Sequence, residues 1–214
     1  MSNLDTEKAA TELFSALKGQ YCLDPLTKRF PSISIEEAYY ISLKLLDKRL
    51  EKGEHVIGKK IGVTSKAVQD MLGVHQPDFG FLTSSMHIPN KSTVSIEETL
   101  IQPRAEGEIA FILSKDLQGP GITAEDVLQS TESVFPCFEI VDSRIANWKI
   151  SIQDTIADNA SCGVFVLGEE GKNPLDIELD KCKLKVFKNG NFISEGEGSE
   201  VQGHPCNAVA WLAN

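Results

Sequence analysis

The stretch Arg104-Ala105-Glu106-Gly107-Glu108-Ile109-Ala110-Phe111 changes from charged to apolar along its length. In a strand, residues i and i+2 point to the same side. A strand over Ala105–Leu113 therefore sets Glu106 and Glu108 side by side, with Gly107 removing bulk from the opposite face. The carboxylate face runs on into Ala110 and Ile112, so the strand is expected to enter polar and end buried. Two carboxylates leading into a buried strand repel each other and lose solvation. A divalent cation relieves both problems, and an oxygen-only donor set suits Mg²⁺, Mn²⁺ or Ca²⁺ rather than zinc. A further carboxylate, Glu139, is the lone charge in the apolar run Pro136-Cys137-Phe138-Glu139-Ile140-Val141. Two readings stand at this point. Either Glu106 and Glu108 line an exposed strand face and Glu139 is salt-bridged, or the three together hold a cation.

Outward from that strand, the pattern is one of short β runs with helices at the periphery. Toward the C-terminus, a short helix is expected from Thr123, as its cap, to about Ser133. Strands follow over Cys137–Val141 and Cys162–Leu167. Lys183–Phe187 and Phe192–Ser194 flank Asn189-Gly190, a hairpin turn signal because both residues accept positive φ. Toward the N-terminus, Gly58, Gly62, Gly73 and Gly80 punctuate short β-type runs that begin at Val56. Two helices precede them. The first covers 4–18, with Asn3 as cap, Gly19 as stop, and Ala9, Leu13, Phe14 and Leu17 on one face. The second opens on the capping box Ser34-Ile35-Glu36-Glu37. It runs to about Lys52, with Ala38, Ile41 and Leu45 as core positions and Gly53 at its end. The connections are too short for repeated βαβ crossovers. The expected fold is α+β, with a helical layer over 1–53 and a mainly antiparallel or mixed β-rich body over 54–214.

Composition bounds the function. Over 214 residues, hydrophobic types make up 41% and charged types 24%, ordinary for a soluble globular protein. The formal net charge is −10, which argues against nucleic-acid binding, since phosphate contacts need clustered Lys and Arg. An anionic substrate then needs a local positive centre, such as a metal or a lone Lys. The N-terminus has no signal-peptide core and no apolar run is long enough to span a bilayer, so no membrane association is expected and the default location is the cytosol. The 5 cysteines include no C-x-x-C pair, which points to small buried hydrophobes rather than a disulfide framework or zinc ribbon.

Several motifs, in order, are similar to those of one family. Gly58-Lys59-Lys60-Ile61-Gly62-Val63-Thr64-Ser65-Lys66 resembles the glycine-rich entry motif of the 2-oxopent-4-enoate hydratases, which belong to the fumarylacetoacetate hydrolase superfamily. Gln76-Pro77-Asp78-Phe79-Gly80, Gln102-Pro103-Arg104-Ala105-Glu106-Gly107-Glu108-Ile109-Ala110-Phe111, Phe138-Glu139-Ile140-Val141-Asp142-Ser143-Arg144 and Asp158-Asn159-Ala160-Ser161-Cys162-Gly163 resemble the motifs that follow. The resemblance implies a mixed β-roll or barrel fronted by N-terminal helices. It also implies Mg²⁺ or Mn²⁺ held by Glu106, Glu108 and Glu139. The implied reaction adds water to 2-hydroxypenta-2,4-dienoate, giving 4-hydroxy-2-oxopentanoate, a step of aromatic meta-cleavage catabolism.

On that reading the metal acts as Lewis acid at the C2 oxygen. Lys60 and Asp78 are the expected proton handlers, with the Lys60 pKa lowered by the metal and by burial. Ser161 is the expected hydrogen-bond donor to the substrate carboxylate. A homo-oligomer is implied, associating with a sibling decarboxylase or a downstream aldolase. The metal face alone does not exclude the 2-oxo-3-hexenedioate (4-oxalocrotonate) decarboxylases or the acylpyruvate hydrolases. The spelling Gly62-Val63-Thr64-Ser65 and Ala105-Glu106-Gly107-Glu108 is nearer the hydratases, and no H-x-x-E of the hydrolase kind occurs. A non-catalytic, truncated subunit is the alternative of another class. It is suggested by the end at Ala208-Val209-Ala210-Trp211-Leu212-Ala213-Asn214, inside what reads as an amphipathic helix.

Overall fold

Local rules account for most of the element boundaries. In the computed structural model, which describes residues 4–214, helix α1 (Thr6–Gly19) is capped by Asp5, whose side chain accepts the Lys8 amide. Asn3, the cap expected from the sequence, lies outside the described residues. After the short α2 (Leu26–Arg29), helix α3 (Ile35–Leu50) opens on the expected Ser34/Glu37 capping box. Strand β1 (Val56–Gly62), α4 (Lys66–Leu72), β2 (Asp78–Thr83) and α5 (Ile96–Thr99) lead to β3 (Arg104–Leu113). Then come α6 (Ala124–Ser130), β4 (Thr131–Val141), α7 (Ile152–Ala157), β5 (Cys162–Leu167), β6 (Lys183–Lys188), β7 (Asn191–Glu197) and α8 (Pro205–Ala213). The protein is α+β, as its sequence pattern implies. β1 pairs antiparallel with β2, β6 with β7, and β3, β4 and β5 form a sheet in that order.

The chain divides into two compact units. The first comprises the described residues up to Gly62, together with Asp78–Glu106 and Glu139–Val166. Here the small face of α1 (Ala9, Ala10, Leu13, Ala16) is buried, as are Ala38, Ile41 and Leu45 of α3, and the two helices pack together. α3 also packs on α7 and touches β2. The second unit comprises Val63–Pro77, Gly107–Phe138 and Leu167–Asn214. Its core gathers Val127, Val134, Leu179, Cys206 and Ala210, with Ile109 and Phe111 packed against it. Its β6–β7 hairpin turns through Asn189 (φ 51°) and Gly190 (φ 78°), as the Asn-Gly pair predicts. Gly107 serves this unit as expected, because a Cβ there would overlap the Leu184 methyls.

Three expectations need correction. β3 does not end buried: Ile112 is 37% exposed and Leu113 41%. The helix from Thr123 ends at Ser130, and β4 begins at Thr131 rather than Cys137. Ser130 Oγ and Thr131 Oγ1 donate to the carbonyls of Asp126 and Val127 (2.6 and 2.7 Å), a competing hydrogen-bond pattern at the point where the helix yields to a strand. The cysteines are all free, and only Cys162 and Cys206 are buried, with Cys22 exposed.

Candidate active site

Residues directly opposite in an antiparallel pair project to the same side. Lys60 pairs with Gly80 and Gly62 with Asp78, so these four share one face of the β1–β2 pair. Lys60 and Asp78 occupy diagonal corners and the glycines the other two. Both glycines are needed there for space. A Cβ on Gly62 would strike Asp78 Oδ1 and come within 3.1 Å of Lys60 Nζ, and one on Gly80 would strike the Asn159 carbonyl oxygen.

Lys60 reaches from this face to Glu139, with Nζ 3.3 Å from Oε2, and also donates to the Ala160 carbonyl at 3.2 Å. Both charged side chains are enclosed, at 9% and 5% exposure. One oxygen of each of Glu106, Glu108 and Glu139 lies within 4.8 Å of the others, with Glu139 buried and the two strand neighbours open to solvent. Glu139 is thus salt-bridged, as in the first of the two sequence readings, and it also lies in a carboxylate cluster of the kind the second requires. Its Oε1 decides the fit. That atom is buried without a hydrogen-bond partner among the described residues, as are Asp78 Oδ1 and Ser161 Oγ. Buried polar atoms are rarely left so. An all-oxygen donor set with an orphaned carboxylate oxygen fits a hard divalent cation.

Charge and burial pull these groups in opposite directions. Burial lowers the Lys60 pKa, but Glu139, then Asp78, Cys162 and Glu106, together hold its ammonium well above the ordinary lysine range. Burial acts on Lys60 in the expected direction, but the carboxylates that surround the ammonium outweigh it. Burial raises the Asp78 carboxyl, with Glu139 adding, while Lys60 and the Thr155 hydroxyl oppose it. Glu106 is raised first by desolvation and then by Glu139 and Asp78, against Lys60 and Arg104. Tyr39, whose ring stacks on Phe79 at 4.7 Å, has its hydroxyl pushed up to about 12 by burial and then by Asp78.

Ser161 stands on a strained turn. Asn159, Ala160 and Ser161 all have left-handed backbones (φ 55°, 50° and 53°). For residues with a Cβ this conformation costs roughly 1–2 kcal/mol each. The turn is over-determined by its neighbours, as such strain requires. Asn159 makes a two-way amide clamp on Phe81, accepting its N–H at 2.7 Å and donating to its C=O at 2.9 Å. The Ser161 carbonyl accepts the Asp142 amide at 2.8 Å. Behind the turn, buried Arg144 donates through Nε to Asp158 Oδ1 at 2.5 Å and also bonds the carbonyls of Asp142, Cys162 and Asp158.

Sequence reading missed three supports: Thr155, the Asn159 clamp, and the Arg144–Asp158 pair. Asn159 carried one usable signal, since Asn is enriched in left-handed backbone. Thr155 carried none.

The profile of the family described as Fumarylacetoacetate (FAA) hydrolase C-terminal matches residues 54–214. The chain is 60% identical over 203 residues to a 2-hydroxypent-2,4-dienoate hydratase of Pseudomonas putida, covering 95% of this chain and 91% of that protein. It is 60% identical over 209 residues to a 2-hydroxyhexa-2,4-dienoate hydratase of Comamonas testosteroni, covering 97% and 79%. Among solved structures, the 4-oxalocrotonate decarboxylase of Pseudomonas putida G7 complexed with magnesium and adipate superposes with a TM-score of 0.92 at 30% identity. That match covers 100% of this chain and 82% of the other.

Proposed function

The chain belongs to the fumarylacetoacetate hydrolase family, and from that premise we propose that it is a divalent-cation-dependent hydratase. It adds water to 2-hydroxypenta-2,4-dienoate and forms 4-hydroxy-2-oxopentanoate in aromatic-ring catabolism. The observation that carries this reading is the pairing of the glutamate cluster with two buried proton-bearing groups, Lys60 and Asp78, on the face of β1–β2. The relatives that share 60% of its residues bear hydratase names, which favours hydration over the decarboxylation named for the structural neighbour.

Glu106, Glu108 and Glu139 would hold Mg²⁺ or Mn²⁺, which supplies Lewis-acid polarisation of a 2-oxo oxygen when bound. The protein's own groups handle protons and anions. Ketonisation moves the enol proton of the substrate to C5 and leaves a C3=C4 double bond in conjugation with the C2 carbonyl. Lys60, whose Nζ lies 3.3 Å from Glu139 Oε2, attracts the substrate carboxylate and is the nearby ammonium donor. Asp78 Oδ1, buried and unpartnered, accepts the proton of the water that bonds to C4. Ser161 Oγ, likewise unpartnered, donates to the substrate carboxylate. The enclosure of Asp78 and Ser161, at 1% and 3% exposure, keeps bulk water from competing for these bonds.

No helix among the described residues is long and apolar enough to cross a membrane. The reading carries with it a cytosolic enzyme that self-associates, which sedimentation of the purified protein tests.

The deciding experiment follows the absorbance of the dienol with and without Mg²⁺. Metal-dependent loss of the dienol, with 4-hydroxy-2-oxopentanoate as product, is expected. An inert dienol beside carbon dioxide release from 2-oxo-3-hexenedioate would overturn hydration in favour of decarboxylation.

A further inference from the structure

The two carboxylate oxygens of Asp78 have different surroundings. Oδ2 accepts a 3.0 Å hydrogen bond from Thr155 Oγ1 inside the core, where Asp78 is 1% exposed and Thr155 5%. Oδ1 is buried without a hydrogen-bond partner among the described residues, in the corner that Gly62 leaves clear beside Lys60 Nζ. An aspartate χ2 is broad and nearly two-fold. Nothing in Asp78 itself therefore fixes the plane of its carboxylate.

Thr155 is well placed to fix it. A β-branched side chain in a helix has few χ1 states. The helix that carries it is pinned one residue earlier. Asp154, 0% exposed, accepts the Thr27 amide (3.1 Å) and hydroxyl (2.6 Å) and the Ser151 amide (2.9 Å). A line of contacts thus runs from α2 through Asp154 and Thr155 to Asp78.

We propose that Thr155 is a positioning residue for hydration: by holding Oδ2, it leaves Oδ1 as the one Asp78 oxygen that exchanges protons with the reacting water. This rests on the assignment of Asp78 as the proton acceptor. As the water oxygen bonds to C4, its proton passes to Oδ1 and the C3=C4 electron pair shifts toward the C2 oxygen. The proton returns to C3 as the C2 carbonyl re-forms, so Asp78 ends as it began. Protonation at Oδ1 leaves the Thr155 bond to Oδ2 intact in both states. Without the hydroxyl, the plane of the buried carboxylate can rotate or swing away from the corner, and small misplacements of a reacting group are costly to rate.

The test compares Thr155→Val with Thr155→Ser in the full chain, with Asp78→Asn alongside. Thr155→Val is expected to lower kcat roughly 10- to 100-fold, with KM for the dienol and Mn²⁺ affinity, read by electron paramagnetic resonance, both close to wild type. Thr155→Ser, which keeps the hydroxyl, is expected to restore most of kcat. Where Thr155→Val does not fold by circular dichroism, Thr155→Ala takes its place in the same comparison. Wild-type kcat in the folded hydroxyl-free variant, beside an inactive Asp78→Asn, overturns the positioning role alone. Failure of Thr155→Ser to recover kcat while folding normally also overturns it. An Asp78→Asn protein that hydrates at the wild-type rate removes the assignment of Asp78, and the proposal with it.

Discussion

The two carboxylate oxygens of Glu139 have unlike surroundings. Its Oε2 faces the Lys60 ammonium, while its Oε1 has no hydrogen-bond partner among the described residues. Removing the ammonium leaves a buried carboxylate without its counter-charge, a change worth about 3–5 kcal/mol in comparable buried pairs. Lys60→Met is therefore expected to melt well below the wild type in the presence of a chelator. Added Mg²⁺ should raise its melting temperature by more than it raises that of the wild type, because ligand binding to the folded state stabilises it. Differential scanning calorimetry at several Mg²⁺ concentrations reads both effects. The same variant should lose roughly 10²- to 10⁴-fold in turnover, the usual contribution of a positioned proton donor. Glu106→Gln separates the two roles. It should weaken Mg²⁺ affinity by at least about tenfold, since even outer-shell partners of metal sites contribute that much, and an unchanged isothermal titration would remove Glu106 from the ligand set.

At the scale of elements, the turn after α7 stores strain where the site needs rigidity. Ala160 has φ 50°, which glycine adopts at no steric penalty. Ala160→Gly is expected to be neutral or to stabilise the protein by up to about 1 kcal/mol, the relief of strain outweighing the added freedom of the unfolded chain. Asn159→Ala works in the opposite sense. It removes both hydrogen bonds to Phe81 and leaves those backbone groups without them, so a loss of about 2–3 kcal/mol is expected. Urea unfolding of the two variants reads the difference, and a stable Asn159→Ala protein would show that the clamp does not hold the turn. Gly62 makes the same point for the β1–β2 pair. A methyl there would displace Asp78 Oδ1, so Gly62→Ala should reduce kcat sharply while leaving Mg²⁺ affinity in place.

Across the molecule, stability should depend on acid through Glu54. Its Oε2 accepts from Arg49 (2.9 Å), Thr83 (2.5 Å) and Ser85 (2.7 Å), joining the end of α3 to the end of β2. Burial raises this carboxyl, but the two hydroxyls and the Arg49 charge outweigh it and hold the pKa below the ordinary 4.5. A depressed carboxylate pKa gives stability that is present above the unfolded value and is lost as pH falls through the folded one. Denaturation midpoints should therefore drop as pH goes below about 4.5, and Glu54→Gln should flatten that part of the profile while lowering stability at neutral pH.

Much of this protein could be read without its fold. The pairing of Glu106 with Glu108 follows from strand alternation, the start of α3 from Ser34 and Glu37, and the β6–β7 turn from Asn189-Gly190. Each rests on forces that act within a few residues. The fumarylacetoacetate hydrolase resemblance, carried by the order of the motifs, extended that reading to Lys60, Asp78, Glu139 and Ser161. The end of α6 at Ser130 and the exposed end of β3 escaped it, because side-chain competition and packing overrode local pattern there. So did the long-range contacts around the candidate site. Thr155 meets Asp78 across 77 positions, Asn159 meets Phe81 across 78, and Lys60 meets the Ala160 carbonyl across 100. Such meetings depend on strand register and on the packing that closes long loops, and no local preference of Thr, Asn or Lys encodes them.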